Sequence, residues 1–365
     1  PASSELAMAY SLRSQLDMLN DRTSLAVMWG EKALALERSF DSPALRAHAL
    51  NNIGTALLLR GDQEGENQLK ESLAISLQHG LHEDAARVYT NYSDYCVRFK
   101  KLDFAETLIA QGINYDVAHD LDSWTFYLVG IQAQLRLEQG RLIDAETIAS
   151  GVQKLHNQTL LMKLPALTVL ARARSRMGTQ DSKTLLRQSL ENARATNENQ
   201  YVIPALFGYV EYIWMSCAYD CADSLKDNQE LLAHLESLSA LAKDVLNAWQ
   251  LGELLVWLKR CDIKLNVVCE LTIPKPFRLE LTGDYKGAYD AWNALNMPFN
   301  GALSLVQASS KATAGALVQA WPVFEKMEAQ ALLQYLRHKA QHLGFVNQLP
   351  KLRRGPYAKT KQHPA

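Results

Sequence analysis

The same short phrase is written twice in this chain, Asp-Phe-Ala-Glu-Thr at Asp103–Thr107 and Asp-Ala-Glu-Thr at Asp144–Thr147, with the two Ala-Glu-Thr triplets 40 residues apart. Each copy follows a polar break, Lys100-Lys101 or Gln139-Gly140, and opens an apolar run at helical spacing: Ala105, Leu108, Ile109 and Ile113, then Ala145, Ile148, Val152 and Leu155. Breaks recur at Gly61, Lys100, Gly140 and Gly178, a period of 38 to 40 residues. A small residue precedes each break (Gly54, Ser93, Ala133, Ala171) and another follows it (Gly65, Ala105, Ala145, Ser182), where a neighbouring helix must come close. A unit of this length holds two helices, and one pair cannot bury its own apolar face without stacking on the next. The expected fold is therefore all-α: a tetratricopeptide-like α-solenoid, a superhelix of stacked helix pairs.

The register places helix pairs at 4–19 and 22–38, 43–60 and 62–79, 83–99 and 102–119, 122–139 and 141–155, and 159–177 and 181–196. Ser3 or Ser4 and Asp21 are candidate caps for the first pair, and Asp41-Ser42-Pro43 is a helix start, because proline in the first turn loses no hydrogen bond. The phase blurs through the aromatic stretch Tyr201 to Cys217, and helices are expected again over 227–246 and 249–260. Pro274 and Pro276 mark a joint to shorter helices. Three regions follow: a superhelix over 1–245, a C-terminal helical cap over 246–345, and a basic flexible linker over 346–365.

Composition narrows the class. With 48% hydrophobic residues in 365, there is ample apolar surface for a continuous core. No run approaches a membrane span and the start has no signal-peptide pattern, so no membrane partner is expected. An odd set of five cysteines, Cys96, Cys217, Cys221, Cys261 and Cys269, within apolar stretches fits a reducing cytoplasm. The start without Met suggests a fragment. Net charge is −1, yet no acid follows Glu328, so residues 329–365 carry +7 and the rest −8. A basic tail of this kind suits a nucleic-acid arm or a solvated linker.

The C-terminal third carries a more specific signal. The run Pro276-Phe277-Arg278-Leu279-Glu280-Leu281-Thr282-Gly283-Asp284-Tyr285, with Ala288, Trp292, Leu295, Pro298, Phe299, Ala302 and Leu303, resembles the end of the helical-repeat region in large LuxR-type transcriptional regulators. These are STAND-class proteins with an N-terminal ATPase, related to the maltose-regulon activator. Arg354-Gly355-Pro356, Thr360-Lys361 and His363-Pro364-Ala365 are similar to that family's basic linker, after which its DNA-binding helix-turn-helix would open. The chain departs from the pattern at Asn296, where the family has Gly, and at Tyr357 and His363. Asn is the next best residue for a left-handed backbone.

No phosphate loop, dinucleotide fingerprint or zinc-protease motif is present. Cys217 with Cys221, and His338 with His342, are spaced to share a helix face, but neither pair has further ligands to complete a metal site. No cofactor is expected in this chain; the resemblance implies ATP only for an upstream domain, and DNA only through a following one. No catalytic constellation is expected, and the chain reads as a binding module and not an enzyme. The first helix of each pair lines the concave wall in such stacks. This puts His48, Asn51, Arg87, Asp94, Tyr127, Gln134, Thr168 and Arg172 toward the groove, with Thr55, Thr90 and neighbours beside them. A ridge of unlike polar groups suits a small-molecule or peptide effector, or a regulatory protein. The same polarity also suits a helix face that only water touches. The resemblance implies the sensor and coupling region of a LuxR-type regulator; a free-standing tetratricopeptide-type adaptor for a peptide or protein is the alternative.

Overall fold

The computed structural model describes residues 3–156, 158–217, 223–267, 271–308 and 313–350. Among these the chain is helical throughout, without a β-strand. Five helix pairs open it: α1 (Ser4–Leu19) with α2 (Thr23–Glu37), α3 (Pro43–Leu59) with α4 (Glu64–Gln78), α5 (His82–Arg98) with α6 (Leu102–Ala118), α7 (Asp122–Glu138) with α8 (Leu142–Gln153), and α9 (Leu160–Met177) with α10 (Ser182–Thr196). Then come α11 (Asn199–Cys217), α12 (Asp223–Lys226), α13 (Gln229–Leu241), α14 (Ala248–Arg260), α15 (Lys275–Thr282), α16 (Tyr285–Asn293), α17 (Pro298–Leu305), α18 (Thr313–Lys326) and α19 (Gln330–His342).

The turns explain the period. The chain takes a left-handed residue at Asp21, Gly61, Lys100, Gly140 and Gly178 within pairs, and at Asp41, Gly80, Asp120 and Asn197 between them. Within each pair the helix ends the same way: Gly61 and Asp62 donate back to Leu58 and Leu57, Lys100 and Lys101 to Val97 and Cys96, Gly140 and Arg141 to Leu137 and Arg136. This pairing of a three-residue and a five-residue step satisfies carbonyls that a helix end leaves open. Ser3 caps α1 and Ser42 caps α3, whose first residue is Pro43. Asp21 caps nothing; it takes the left-handed position and its carboxylate is used elsewhere.

The small residues sit where the register puts them. A methyl group on Gly65 would lie 2.3 Å from the Gly54 carbonyl oxygen, so the two backbones of that pair touch directly. Ser93, Ala105, Ala133, Ala145 and Ala171 are fully buried. The first helices α1, α3, α5, α7, α9 and α11 pack successively on one another as an inner layer, and the second helices flank them. The aromatic stretch is thus the sixth inner helix, with α13 as its partner; Phe207, Tyr209 and Trp214 are core.

The C-terminal helices lie back along the edge formed by the within-pair turns, instead of extending the stack. Asn296 donates to Asp103 at 3.2 Å, Met327 packs on Gly140, Ala331 approaches Gly178, and α19 contacts α9. The cause is apolar: Phe277, Trp292 and Met297 join Leu102, Ile131 and Leu135 in one buried cluster. Asn296 is left-handed at φ 57°. Val346–Gln348 form a 3-10 turn and Leu349 is buried in the core, so folded chain continues past 345. The rest of the expected linker, 351–365, lies outside the described residues, as do Cys221, Cys269 and the side chain of Cys217. Cys96 and Cys261 are buried and form no disulfide. Among the described residues no helix is long and apolar enough to cross a membrane.

Candidate functional site

Four successive inner helices bring part of the expected ridge together. Asp94 of α5, Tyr127 and Gln134 of α7, and Thr168 and Arg172 of α9 line one cavity, with Gln200, Tyr201 and Pro204 of α11 closing its far side. Tyr127 and Tyr201 share a hydrogen bond of 3.1 Å between hydroxyls. Thr168 donates within reach of the Leu164 carbonyl and meets the Ser189 hydroxyl at 2.7 Å. The cavity volume is only about 50 Å³, room for one or two ordered waters.

The other three ridge residues lie elsewhere. The His48 ring nitrogen meets the Ser11 hydroxyl at 2.6 Å, because α1 packs over that part of α3. Burial, aided by the Arg87 charge, pushes the His48 pKa down to about 3 and keeps the ring neutral. Asn51 accepts from Asn91 at 3.1 Å. Arg87 is paired with Asp84 on its own helix.

Continuous with the cavity lining, the groove holds a ladder of buried and half-buried charges that the period alone does not reveal. Arg98 donates to Asp21 at 3.0 and 3.2 Å and lies 3.6 Å from Asp94. Lys100 pairs with Glu138 at 3.0 Å. Glu211 of α11 accepts from Arg172 at 3.0 Å and from Arg176 at 2.6 Å, while Glu253 of α14 stands 3.8 Å from Arg172. Arg260 pairs with Glu280 at 2.6 Å, and Ser304 donates to the same carboxylate at 2.7 Å. The Arg176 guanidinium lies 3.8 Å over the Phe299 ring. Burial opposes the charge of Glu211, but Arg176 and Arg172 outweigh it and hold its pKa at about 2. Glu253, with a longer contact to its cation, is pushed up by burial.

Two contacts tie the first pair to this region. The α1–α2 turn offers the Asn20 carbonyl to Asn199 at 3.1 Å, and the Asp21 carboxylate to Arg98. The first pair thereby touches the start of the sixth inner helix, 179 residues away, next to the residues that line the cavity. Filled with its own ion pairs, the groove has little room for a ligand in this arrangement.

No protein-family model matches the chain, and a search of curated proteins finds no match to it.

Proposed function

We propose that this chain is the effector-sensing and coupling region of a LuxR-type, ATP-dependent transcriptional regulator, a binding module that acts in the cytoplasm through domains on either side of it. The observation that carries the reading is the filled groove. A ligand shifts a conformational equilibrium only by binding one arrangement better than another. Here the groove that holds Asp94, Tyr127, Gln134, Thr168 and Arg172 is filled by its own ion pairs and tied across by the Arg98–Asp21 and Asn199–Asn20 contacts. Occupying it and changing the superhelix are thus one event, which is what a sensor requires and a rigid peptide-docking adaptor does not. The resemblance of residues 276–303 to the end of the regulator family's repeats supplies the class.

The class is tested by reading the natural coding frame: a phosphate loop ahead of residue 1 and a helix-turn-helix after residue 365 are expected, and a frame with neither refutes it. The site is tested by a thermal-shift screen of metabolites and short peptides, followed by titration of Arg172→Ala and Gln134→Ala beside the outer-face control Lys183→Ala. Arg172→Ala should weaken binding more than tenfold, as the loss of a charge-assisted hydrogen bond does, and Gln134→Ala by about two- to tenfold, the scale of a neutral one. A binder that the control weakens equally lies elsewhere. Small-angle scattering should show the chain expanding on binding, and Asp21→Asn should tighten binding by loosening the tie.

A further inference from the structure

The roomiest cavity among those described is not in the groove but at the seam between the solenoid and the returning C-terminal helices, where about 520 Å³ lies open. One wall is the α7–α8 turn and the start of α8, with Gly140, Leu142 and Ile143; the other is Pro298 of α17, Pro322 and Val323 of α18, and Met327 just past its end. This volume falls in the range of sites for small organic ligands, whereas the groove cavity of about 50 Å³ does not. The lining is mostly apolar, and Ile143 stands 46% exposed at its mouth, so water now covers surface that a ligand would dry.

The rim charges select the kind of ligand. Arg141 and Asp144 cancel one another through a 2.6 Å hydrogen bond. Lys326, exposed at the last residue of α18, lines the cleft without a hydrogen-bond or ion-pair partner among the described residues. Neither Glu325 nor Glu328 lines it. An apolar slot with one uncommitted ammonium at its edge suits a ligand with an apolar body and one anionic end.

We infer that the seam cleft between the α7–α8 turn and α17–α18 binds a small amphipathic carboxylate, such as a medium-chain acyl or aryl acid, with its chain against Leu142, Ile143, Val323 and Met327 and its carboxylate on Lys326. Such a ligand bridges the solenoid and the returning helices, and the inference stands whether or not the chain belongs to a transcriptional regulator.

Isothermal titration of the chain with hexanoate, octanoate and decanoate, each below its micellar concentration, tests it, with decanol and decyltrimethylammonium as charge controls. Affinity should rise about fourfold for each methylene that the cleft buries. Lys326→Gln should weaken decanoate by about threefold or more, the scale of a rim-exposed charge, and leave decanol unchanged. Val323→Trp, which fills the slot from α18, should abolish binding; Ile143→Trp does the same from the opposite, exposed wall should the first variant lose its helical circular dichroism. Absence of decanoate binding, decyltrimethylammonium binding as tightly as decanoate, an unchanged affinity in Lys326→Gln, or unchanged binding in a folded Trp variant each overturns the assignment.

Discussion

Replacing Glu211 with Gln removes one negative charge from the centre of the groove ladder and leaves the Arg172 and Arg176 guanidinium groups without their closest shared partner. Glu211 is only 4% exposed, so solvent screens little of this. A pKa held at about 2, against an ordinary glutamate value of 4.5, corresponds to about 3 kcal/mol of stabilisation for the charged form. Deleting one partner of a buried ion pair costs about 3–5 kcal/mol by a separate argument, since the remaining cations stay buried. We therefore expect Glu211→Gln to lower stability by about 3–4 kcal/mol at pH 7, read from the urea unfolding midpoint. The exposed Arg46–Glu71 pair, at 2.6 Å, gives the control: Glu71→Gln should cost less than about 1 kcal/mol. The pH dependence follows from the sign of the shift. A carboxyl depressed on folding contributes stability that is complete above its unfolded pKa and is lost as pH falls through its folded pKa. The gap between native chain and Glu211→Gln should thus be full above pH 5 and shrink between about 4.5 and 2. A cost no larger than that of Glu71→Gln, or a gap independent of pH over that window, would refute the ladder as a source of stability.

Three further outcomes are expected. Gly65→Ala, whose new methyl would meet the Gly54 carbonyl oxygen at 2.3 Å, should destabilise the second pair by about 1–3 kcal/mol in thermal or urea unfolding. Asp120→Gly, at an exposed left-handed turn with φ 56°, should raise stability by a few tenths to about 1 kcal/mol, because glycine meets no steric penalty there. Asp116 is fully buried, its oxygens find no hydrogen-bond partner among the described residues, and burial raises its pKa to about 6. Asp116→Asn should therefore gain about 1–3 kcal/mol at pH 7, with the gain shrinking as pH falls from about 6 and gone below about 4, where the native carboxyl is protonated in both folded and unfolded states.

The helices were legible because the turns are written in the chain: glycine, or another residue that takes the left-handed position, stands at most of the breaks, and the helix bounds follow within a few residues. The ridge from Asp94 to Arg172 was legible for the same reason, since equivalent positions on successive inner helices stack. His48 and Arg87 escaped it because one sequence does not say which stretch of an inner helix its neighbours cover; α1 lies on His48, and Asp84 takes Arg87. The charge ladder was missed, although it left a trace. Glu211 is the lone acid of α11, amid Phe207, Tyr209, Val210 and Trp214, and a buried carboxylate demands a cation. Arg172 and Arg176 stand four apart on one helix, as two cations reaching for one partner must. What no periodicity supplies is the return of the C-terminal helices along the turn edge, because that packing joins segments with different spacing.

The contact between Asn20 and Asn199 also bears on the order of assembly. The packing of one pair on the next is local, each helix meeting mostly helices of its own and adjacent pairs, so a pair can form and recruit the next without long loops to close. The tie across 179 residues has no such shortcut and forms only when every intervening pair is in place. It is accordingly expected to form late in folding, and to be among the first connections released in native-state fluctuations. Amides of the α1–α2 and α10–α11 turns should then exchange with solvent well before those of α7 and α9, and the segment that lets go most readily is the one tied across the groove.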